Sequence, residues 1–403
     1  MLRSIRALVL PLAALLAAPT VVLAEDGWKL GPDAGISRGS LRLNLTGYVQ
    51  GDFRYFSQWT VRETEAGDLR RDGAELRRLR VGLDLAWGRL VVQAQADPHE
   101  DGRDILKDAY AELRFGKAFR VRGGHFKVPV SPEFLTSAAK TDFVERTMQA
   151  NDLGPSRDFG VMAHGEVKRL QYQVGVFGGD GWAQRSRAGT TAAAHLVLTP
   201  VKGLELGASA SLGDVIADPL VAGADLKPRG LSGVSATGYE FFVPHFVNGR
   251  RTRLGAEAAF SRGPVTLKAE ALLVREQRKA QSSTLTDMPD LQGQGWAAST
   301  LLLLRGQKKR QPGALELGAR YESLRFEDVG EDPGFAGFGN RARNIKPVSA
   351  QAATAGLSFW LTRWGRIMGD VVVERYGEPL VAPEPGRRGN YVTLLGRVQL
   401  HLP

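Results

Sequence analysis

The chain has 403 residues, with 53 lysines and arginines against 43 aspartates and glutamates, and it contains no cysteine. The absence of cysteine excludes a disulfide framework and a thiolate metal site, so stability must come from a large core or a closed sheet. The surplus of positive charge favours anionic partners, but it does not distinguish a basic surface from a basic lumen.

The first residues have the pattern of a secretory signal peptide. Basic residues precede an apolar run over residues 7–23, and Ala24 stands at the predicted cleavage point. The alternative, a membrane anchor, is disfavoured because prolines interrupt the run and acidic residues follow it. No later stretch reaches the ~20 apolar residues that a transmembrane helix needs. We therefore predict a signal peptide at 1–24, an N-terminal periplasmic segment at 25–40 and one barrel domain at 41–403.

Beyond residue 40 the dominant pattern is an alternation of apolar and polar residues, which is typical of strands with two different faces. In the second run, for example, Leu79 and Val81 alternate with Arg78 and Arg80. Sixteen such runs are joined alternately by tight turns and by long polar connections. This layout predicts an all-β fold, a 16-stranded antiparallel transmembrane β-barrel.

A soluble β-sandwich would show the same alternation, with its apolar faces packed together instead of facing lipid. Four features favour the barrel over the sandwich: the even number of strands, the difference between the two rims, the export signal, and aromatic residues near strand ends. Closure also has an energetic reason, because lipid offers no hydrogen-bond partners to a free sheet edge.

The segment after the fifth run fits neither type of connection, and it carries motifs that recur in order along a known family. In chain order the motifs are Arg77-Arg78, Lys107-Asp108-Ala109-Tyr110, Phe126-Lys127-Val128-Pro129, Thr136-Ser137, Glu145-Arg146, Gly154-Pro155-Ser156-Arg157 and Gly175-Val176-Phe177-Gly178. Their order and spacing resemble the phosphate-selective porins O and P, and the resemblance extends over most of the mature chain.

The resemblance implies a sixteen-stranded barrel, usually trimeric, whose third extracellular loop folds inward as a constriction loop. On this basis the loop comprises residues 127–157. The resemblance also implies a narrow zone that combines a loop lysine with a wall aspartate. Asp108 falls at the aspartate position, Arg77 and Arg78 match the family's paired arginines, and Lys140 falls at or next to the loop lysine.

One position departs from the family's pattern. The first strand reads Leu45-Thr46-Gly47-Tyr48, whereas phosphate-selective members have an arginine where Tyr48 stands. Tyrosine offers one hydroxyl donor and no charge, so it cannot replace a guanidinium that holds an oxyanion with a fork of donors. The preferred anion therefore stays open between phosphate, polyphosphate and chloride.

Alternation and resemblance together predict the residues that line the pore and form its anion path. These residues are Arg54, Arg77, Arg78, Arg80, Asp108, Arg114, Arg120, Arg122, Lys127, Lys140, Arg146 and Arg157. Basic side chains around a water-filled constriction raise the local anion concentration. The alternative is that each base pairs with a lumen carboxylate, which would leave a neutral wall.

We therefore expect an outer-membrane porin for passive diffusion of small anions such as phosphate, with no catalytic activity. Its expected partners are anions in transit, outer-membrane lipid and two further copies in a homotrimer. We expect no cofactor, no metal and no nucleic acid. Two alternatives remain: a barrel-anchored surface enzyme or adhesin acting through its long loops, and a soluble periplasmic β-protein that binds acidic ligands.

Overall fold

The computed structural model describes most of the chain after the predicted signal peptide. The described residues are 29–30, 35–56, 73–100, 105–178, 189–217, 229–235, 238–282, 284–306, 311–327, 345, 347–377 and 390–402. The predicted signal peptide at 1–24 lies outside them, as do 25–28 and 31–34 of the predicted periplasmic segment. None of the described helices is long and apolar enough to cross a membrane.

Twenty strands and three short helical segments make up the described part of the chain. The strands are β1 (Lys29–Leu30), β2 (Gly35–Arg38), β3 (Leu41–Phe56), β4 (Gly73–Trp87), β5 (Leu90–Ala96), β6 (Leu106–Arg114), β7 (Arg120–Lys127), β8 (Arg157–Val167), β9 (Leu170–Phe177), β10 (Thr191–Val201), β11 (Leu204–Val215), β12 (Gly233–Val234), β13 (Glu240–Phe242), β14 (Gly249–Arg262), β15 (Val265–Arg278), β16 (Met288–Arg305), β17 (Leu315–Glu327), β18 (Val348–Trp360), β19 (Gly365–Gly377) and β20 (Tyr391–His401). The helical segments are α1 (Pro132–Leu135), a 3₁₀ turn (Ala138–Lys140) and α2 (Met148–Asp152).

Sixteen of the described strands, β3–β11 and β14–β20, form a closed antiparallel barrel. Each strand pairs with the next one along the chain, and β11 pairs with β14. The last strand returns to the first, with Thr393 opposite Phe56 and His401 opposite Tyr48. The prediction of a 16-stranded antiparallel barrel is confirmed. Closure leaves no free edge, which is the condition for a sheet in lipid.

The two rims of the barrel differ as the sequence predicts. Short turns join β4 to β5, β8 to β9, β10 to β11 and β14 to β15 at one rim. Gly88 and Gly263 adopt φ angles of 58° and 59° in two of these turns, a conformation that glycine takes without steric cost. The strands that flank the longest connections, including 128–156 and 216–248, enter and leave those connections at the other rim.

The faces of the strands show which side meets lipid. On β17, Leu317 and Tyr321 are 45% and 42% exposed, whereas the alternate residues Arg320 and Glu322 are 5% and 0% exposed. A soluble sandwich would bury the apolar residues and expose the charged ones. Here the apolar residues are exposed and the charged residues are buried, which is the arrangement of a membrane barrel that turns its apolar face outward.

One sector of the lumen departs from the predicted polar lining. Leu272 and Val274 of β15 and Phe326 of β17 face inward and are buried. They belong to a core that also contains Phe241 and Phe242 of β13, and the rings of Phe242 and Phe326 stack at 4.1 Å. The apolar residues are tolerated because β13 covers them, so this core replaces water along that wall.

Candidate pore constriction

Residues 128–156, here called the inner loop, lie inside the barrel. Lumen-facing side chains of widely separated strands hold its backbone. The contacts are Gln50 Nε2 to Ala138 O at 2.9 Å, Arg320 Nη1 to Glu145 O at 2.9 Å, Arg253 Nε to Leu153 O at 2.8 Å, and the backbone N–H groups of Val144 to Asp370 Oδ2 at 2.7 Å and of Met148 to Glu322 Oε2 at 2.6 Å. The loop therefore crosses the lumen from β7 and β8 toward β14–β20.

Local sequence explains why the inner loop leaves the sheet. Prolines have no N–H to donate to a strand ladder, and Pro132 instead stands in the first turn of α1. Ser131 caps that helix by accepting a hydrogen bond from the Phe134 N–H at 3.1 Å. Val130 and Leu153 are fully buried, so apolar contacts hold the loop in addition to its polar anchors.

Glu145 is the ionic anchor of the inner loop. Its Oε1 lies 3.1 Å from Arg54 Nη2, 3.3 Å from Arg77 Nε and 3.6 Å from Arg397 Nη2. Burial raises the pKa of this carboxyl, but the surrounding guanidinium groups outweigh burial and lower the pKa to about 2. Arg54 and Arg77, predicted to line the anion path, therefore act mainly as partners of the loop carboxylate.

Glu145→Gln is expected to lower the unfolding temperature in detergent in a pH-dependent way. The folded-state pKa of about 2 lies below the ordinary value of 4.5, so the carboxylate stabilises the protein fully above pH 4.5. This contribution declines as the pH falls and is lost near pH 2. The difference in unfolding temperature between wild type and Glu145→Gln should therefore become smaller as the pH falls. Glu166→Gln, at an exposed position on β8, is the control, and a pH-independent difference would contradict the assignment.

A bulge in β4 lets two consecutive arginines face the lumen. The pairing with β3 runs from Gln50 opposite Arg78 to Gly51 opposite Leu76, so Arg77 is the extra residue. Arg77 reaches Glu145, and Arg78 donates to Gln50 Oε1 at 3.0 Å. In a regular strand, successive side chains point to opposite faces, so without the bulge one arginine would face lipid.

A second group of polar and charged residues lies where the wall formed by β3–β8 faces the inner loop, and the inner loop contributes Arg146 to it. We call it the basic passage, and its members are Tyr48, Arg78, Arg80, Asp97, Asp108, Lys127, Arg146 and Arg157. Arg157 binds Asp108 through two hydrogen bonds of 3.1 Å, and Arg80 Nε donates to Asp97 Oδ2 at 3.2 Å. The Arg80 guanidinium also lies over the Tyr48 ring at 5.6 Å.

Two cations of the basic passage have neutral partners. Lys127 Nζ donates to the carbonyl oxygens of Phe134, Leu135 and Thr136 at 2.6, 3.1 and 3.0 Å. Arg146 donates to the carbonyl oxygens of Glu133 and Thr136 at 3.2 and 2.6 Å. The acceptors of these bonds are neutral carbonyl oxygens and not carboxylates.

The Arg146 guanidinium lies close to other charged groups of the basic passage. Burial lowers the pKa of Arg146, attraction to Glu133 and Tyr48 opposes this, and repulsion from Arg80 and Arg157 lowers it further. The named members of the basic passage include five basic side chains, four arginines and one lysine, against two aspartates. An anion entering this space would relieve the repulsion.

The remaining predicted pore residues lie elsewhere. Arg114 and Arg122 pair with Glu112 at 2.7 and 2.6 Å, and Arg120 donates to the Gly116 carbonyl at 3.3 Å, near the short-turn rim. Lys140 is exposed on the far side of the inner loop.

There Lys140 lines a cavity of about 240 Å³ together with Lys268, Glu270 and Arg320. The lysine does not join Asp108, which pairs with Arg157 instead. The reason is that Gln50 and Gln399 bind the carbonyl oxygens of Ala138 and Ala139, and this fixes the orientation of the 3₁₀ turn.

Sequence analysis did not identify Asp97 as a site residue, and it named Glu145 in a motif without predicting its role as an anchor. Asp97 is fully buried and accepts hydrogen bonds from the Leu79 N–H at 3.0 Å and from Arg80. It follows directly after an alternating run, and an acidic residue at that position was the available indication. Nothing in the local sequence indicates that Glu145 anchors the inner loop, because its arginine partners are distant in the chain.

Comparisons with known proteins agree with the barrel fold. A search of curated protein sequences returns no match. Among solved structures, OmpT of Vibrio cholerae in a trimer form has a TM-score of 0.57 at 8% identity, covering 90% of this chain and 100% of that chain. The anion-selective porin from Comamonas acidovorans has a TM-score of 0.54 at 12% identity, covering 90% and 99%. Salmonella typhi OmpF has a TM-score of 0.55 at 14% identity, covering 91% and 99%.

These structural similarities show only a shared fold, whereas a match to a family model depends on the sequence. The model described as phosphate-selective porin O and P matches residues 43–392, from the first barrel strand to the start of the last. The chain therefore belongs to the phosphate-selective porin O and P family, and it is a porin of the Gram-negative outer membrane.

Proposed function

We propose that small anions diffuse passively through this porin along the basic passage, between the inner loop and the wall of β3–β8. The observation that carries the proposal is the excess of basic side chains in that passage, four arginines and one lysine against two carboxylates. Fixed positive charge beside a narrow water-filled path concentrates anions and repels cations. Diffusion involves no covalent step, and we propose no enzymatic activity.

Weak binding of anions follows from how the cations are held. Arg80 and Arg157 each share their donors with an aspartate, and Lys127 and Arg146 share theirs with backbone carbonyl oxygens. An ion in transit therefore meets several partly engaged donors in succession. Conduction requires such repeated weak sites, because a single tight site would retain the ion.

In this proposal, Tyr48 determines how strongly the passage prefers oxyanions such as phosphate over simple anions such as chloride. Its ring is 6% exposed, and among the described residues nothing hydrogen bonds to its hydroxyl. It lies close to Arg78, Arg80 and Arg146, so an arginine here would add a fork of donors to an already basic site. The proposed porin consequently passes small anions without strict selectivity for phosphate.

Tyr48→Arg is expected to create stronger phosphate binding. Hydrogen bonds to charged groups contribute ~1.5 to 3 kcal/mol, so the phosphate concentration that half-blocks chloride conductance should fall about tenfold or more. Single-channel recording with phosphate added to chloride gives this value. Tyr48→Phe is the matched control and should leave the block unchanged, since the hydroxyl has no protein partner. Equal block in all three proteins would contradict the role of Tyr48.

The ionic selectivity of the wild-type channel tests the proposed function directly. Protein purified in detergent is inserted into planar bilayers that separate two concentrations of potassium chloride. A passive porin should give stepwise conductance, and the zero-current potential should have the sign for chloride permeating faster than potassium. Preference for potassium would refute the proposal.

We further propose that the mature porin begins after residue 24 and forms a homotrimer. The trimer proposal is supported by the fold shared with the trimer form of Vibrio cholerae OmpT. N-terminal sequencing of the protein from outer membranes should start at Glu25. Native mass spectrometry of the detergent complex should give three times the mass of the mature chain, and a monomer mass would refute the trimer.

A further inference from the structure

The outer surface of β14–β17 carries an ordered set of side chains near the long-loop rim. Three rows of outward-facing residues cross these four strands, as their register shows. From the middle of the barrel toward the rim the rows are Ala256, Ala271, Trp296 and Ser323; then Leu254, Leu273, Gln294 and Arg325; then Thr252, Arg275, Gln292 and Glu327.

These rows surround a groove in the outer wall. Its volume is about 530 Å³, and its lining includes Leu254, Ala256, Ala271, Leu273 and Trp296. The two alanines are cross-strand neighbours, so they make a low floor between the larger flanking side chains. The groove is therefore apolar along its length, and Gln294 and Arg325 close it at the rim end.

The position of the residues along the strands indicates their depth in the membrane. Trp296 stands near the middle of β16, and its ring contacts that of Tyr321 outside the barrel, with centroids 5.6 Å apart. Arg325 and Arg275 lie one and two rows nearer the long-loop rim than Trp296, two and three residues from the ends of β17 and β15. This position near the rim brings both arginines toward the level of lipid headgroups.

The two arginines are placed to contact headgroups. Their side chains are 66% exposed for Arg275 and 51% exposed for Arg325. Arg275 Nε binds Asp290 at 2.6 Å and Arg325 Nη2 binds Glu327 at 2.8 Å. Each carboxylate engages only part of a guanidinium with five donors, so N–H groups remain available for the oxygens of a phosphate.

We propose that this groove binds a phosphorylated glycolipid of the outer leaflet, with an acyl chain on the alanine floor and a phosphate on Arg275 and Arg325. Apolar contact below and cationic donors above match the two parts of such a lipid. Exposed Arg250 and Arg375, which also face outward near this rim, extend the positive charge to both sides. The proposal requires only that the barrel spans the membrane, and it is independent of the anion path.

Native mass spectrometry tests the site. Protein in detergent is titrated with a diphosphorylated lipid A and, in parallel, with the same lipid after dephosphorylation. Wild type should bind the phosphorylated lipid, and combining Arg275→Ala with Arg325→Ala should weaken binding at least about tenfold, as expected for loss of charge-assisted hydrogen bonds. The control combines Arg262→Ala with Arg305→Ala, exposed arginines at the short-turn ends of β14 and β16, and should bind as wild type does.

A second pair of variants tests the groove itself. Ala271→Trp fills the floor and should lower lipid occupancy, whereas Ala319→Trp, an exposed outward position on β17 outside the groove, should not. Equal binding of the two lipid forms, or equal loss in the control variants, would overturn the proposal. Displacement of the lipid by millimolar inorganic phosphate would also overturn it, because the site would then be an ordinary anion site. A change in subunit number caused by Ala271→Trp would show that the groove is a subunit contact, and the lipid site would be rejected.

Discussion

Arg78→Glu should lower the chloride-to-potassium permeability ratio by up to about two hundredfold, because reversing one charge at ~5 Å from an ion in water raises the energy of chloride by about 1.6 kcal/mol and lowers that of potassium by about the same amount. Arg78 is the suitable target because its observed hydrogen bond goes to the neutral Gln50 and not to a carboxylate. Zero-current potentials across planar bilayers in a potassium chloride gradient give the ratio. Raising the salt concentration should reduce the effect, since mobile ions screen the fixed charge.

Lys140→Glu makes the same change of charge on the far side of the inner loop. Lys140 lines the cavity beside Lys268 and Glu270 and not the basic passage. Its substitution should therefore leave the permeability ratio close to that of wild type. If Lys140→Glu changed selectivity as much as Arg78→Glu, the anion path would run along the opposite wall, and the assignment of the basic passage would be incorrect.

Arg397→Ala should cost ~3 to 5 kcal/mol of stability, the range found when one partner of a buried ion pair is removed. Arg397 forms two hydrogen bonds of 2.7 Å to the carboxylate of Asp52, and both side chains are 1% exposed. It also donates to the Val144 carbonyl oxygen of the inner loop. The temperature at which the barrel unfolds in detergent, followed by circular dichroism, should fall markedly.

Removing both members of the pair provides the control for this effect. Arg397→Leu combined with Asp52→Leu should be more stable than Arg397→Ala alone, because no buried carboxylate is then left without its partner. Arg42→Ala, at an exposed position on β3, should unfold at the temperature of wild type. A double variant no more stable than the single one would show that packing of the arginine side chain dominates, and not its charge.

The fold was predictable because each strand carries its own pattern. Alternation requires only local sequence, and it identified both the barrel strands and the faces that they turn to lipid. The inward-facing Leu272 and Phe326 were not predicted, because their cover comes from β13, a distant segment without alternation. In that sector, three consecutive apolar residues, Leu272-Leu273-Val274, were the only local indication of a change.

The site was less predictable than the fold for two physical reasons. The bulge that turns both Arg77 and Arg78 inward depends on the register between β3 and β4, and the alternation of β4 alone does not show it. The partners of Glu145 and Arg157 depend on how the inner loop lies in three dimensions. The sequence thus identified the basic residues as candidates, but it could not separate loop anchors such as Arg54 from members of the basic passage such as Lys127.

The seam between β20 and β3 constrains how the barrel is assembled. It brings together residues as far apart in the chain as Asp52 and Arg397, so its hydrogen bonds form only when the two ends of the barrel sequence meet. Until they meet, residues 48–56 of β3 and the free side of β19 are open edges, and each unpaired backbone group costs several kcal/mol in lipid. We therefore expect insertion into the membrane to be coupled to closure of the sheet by the final strand.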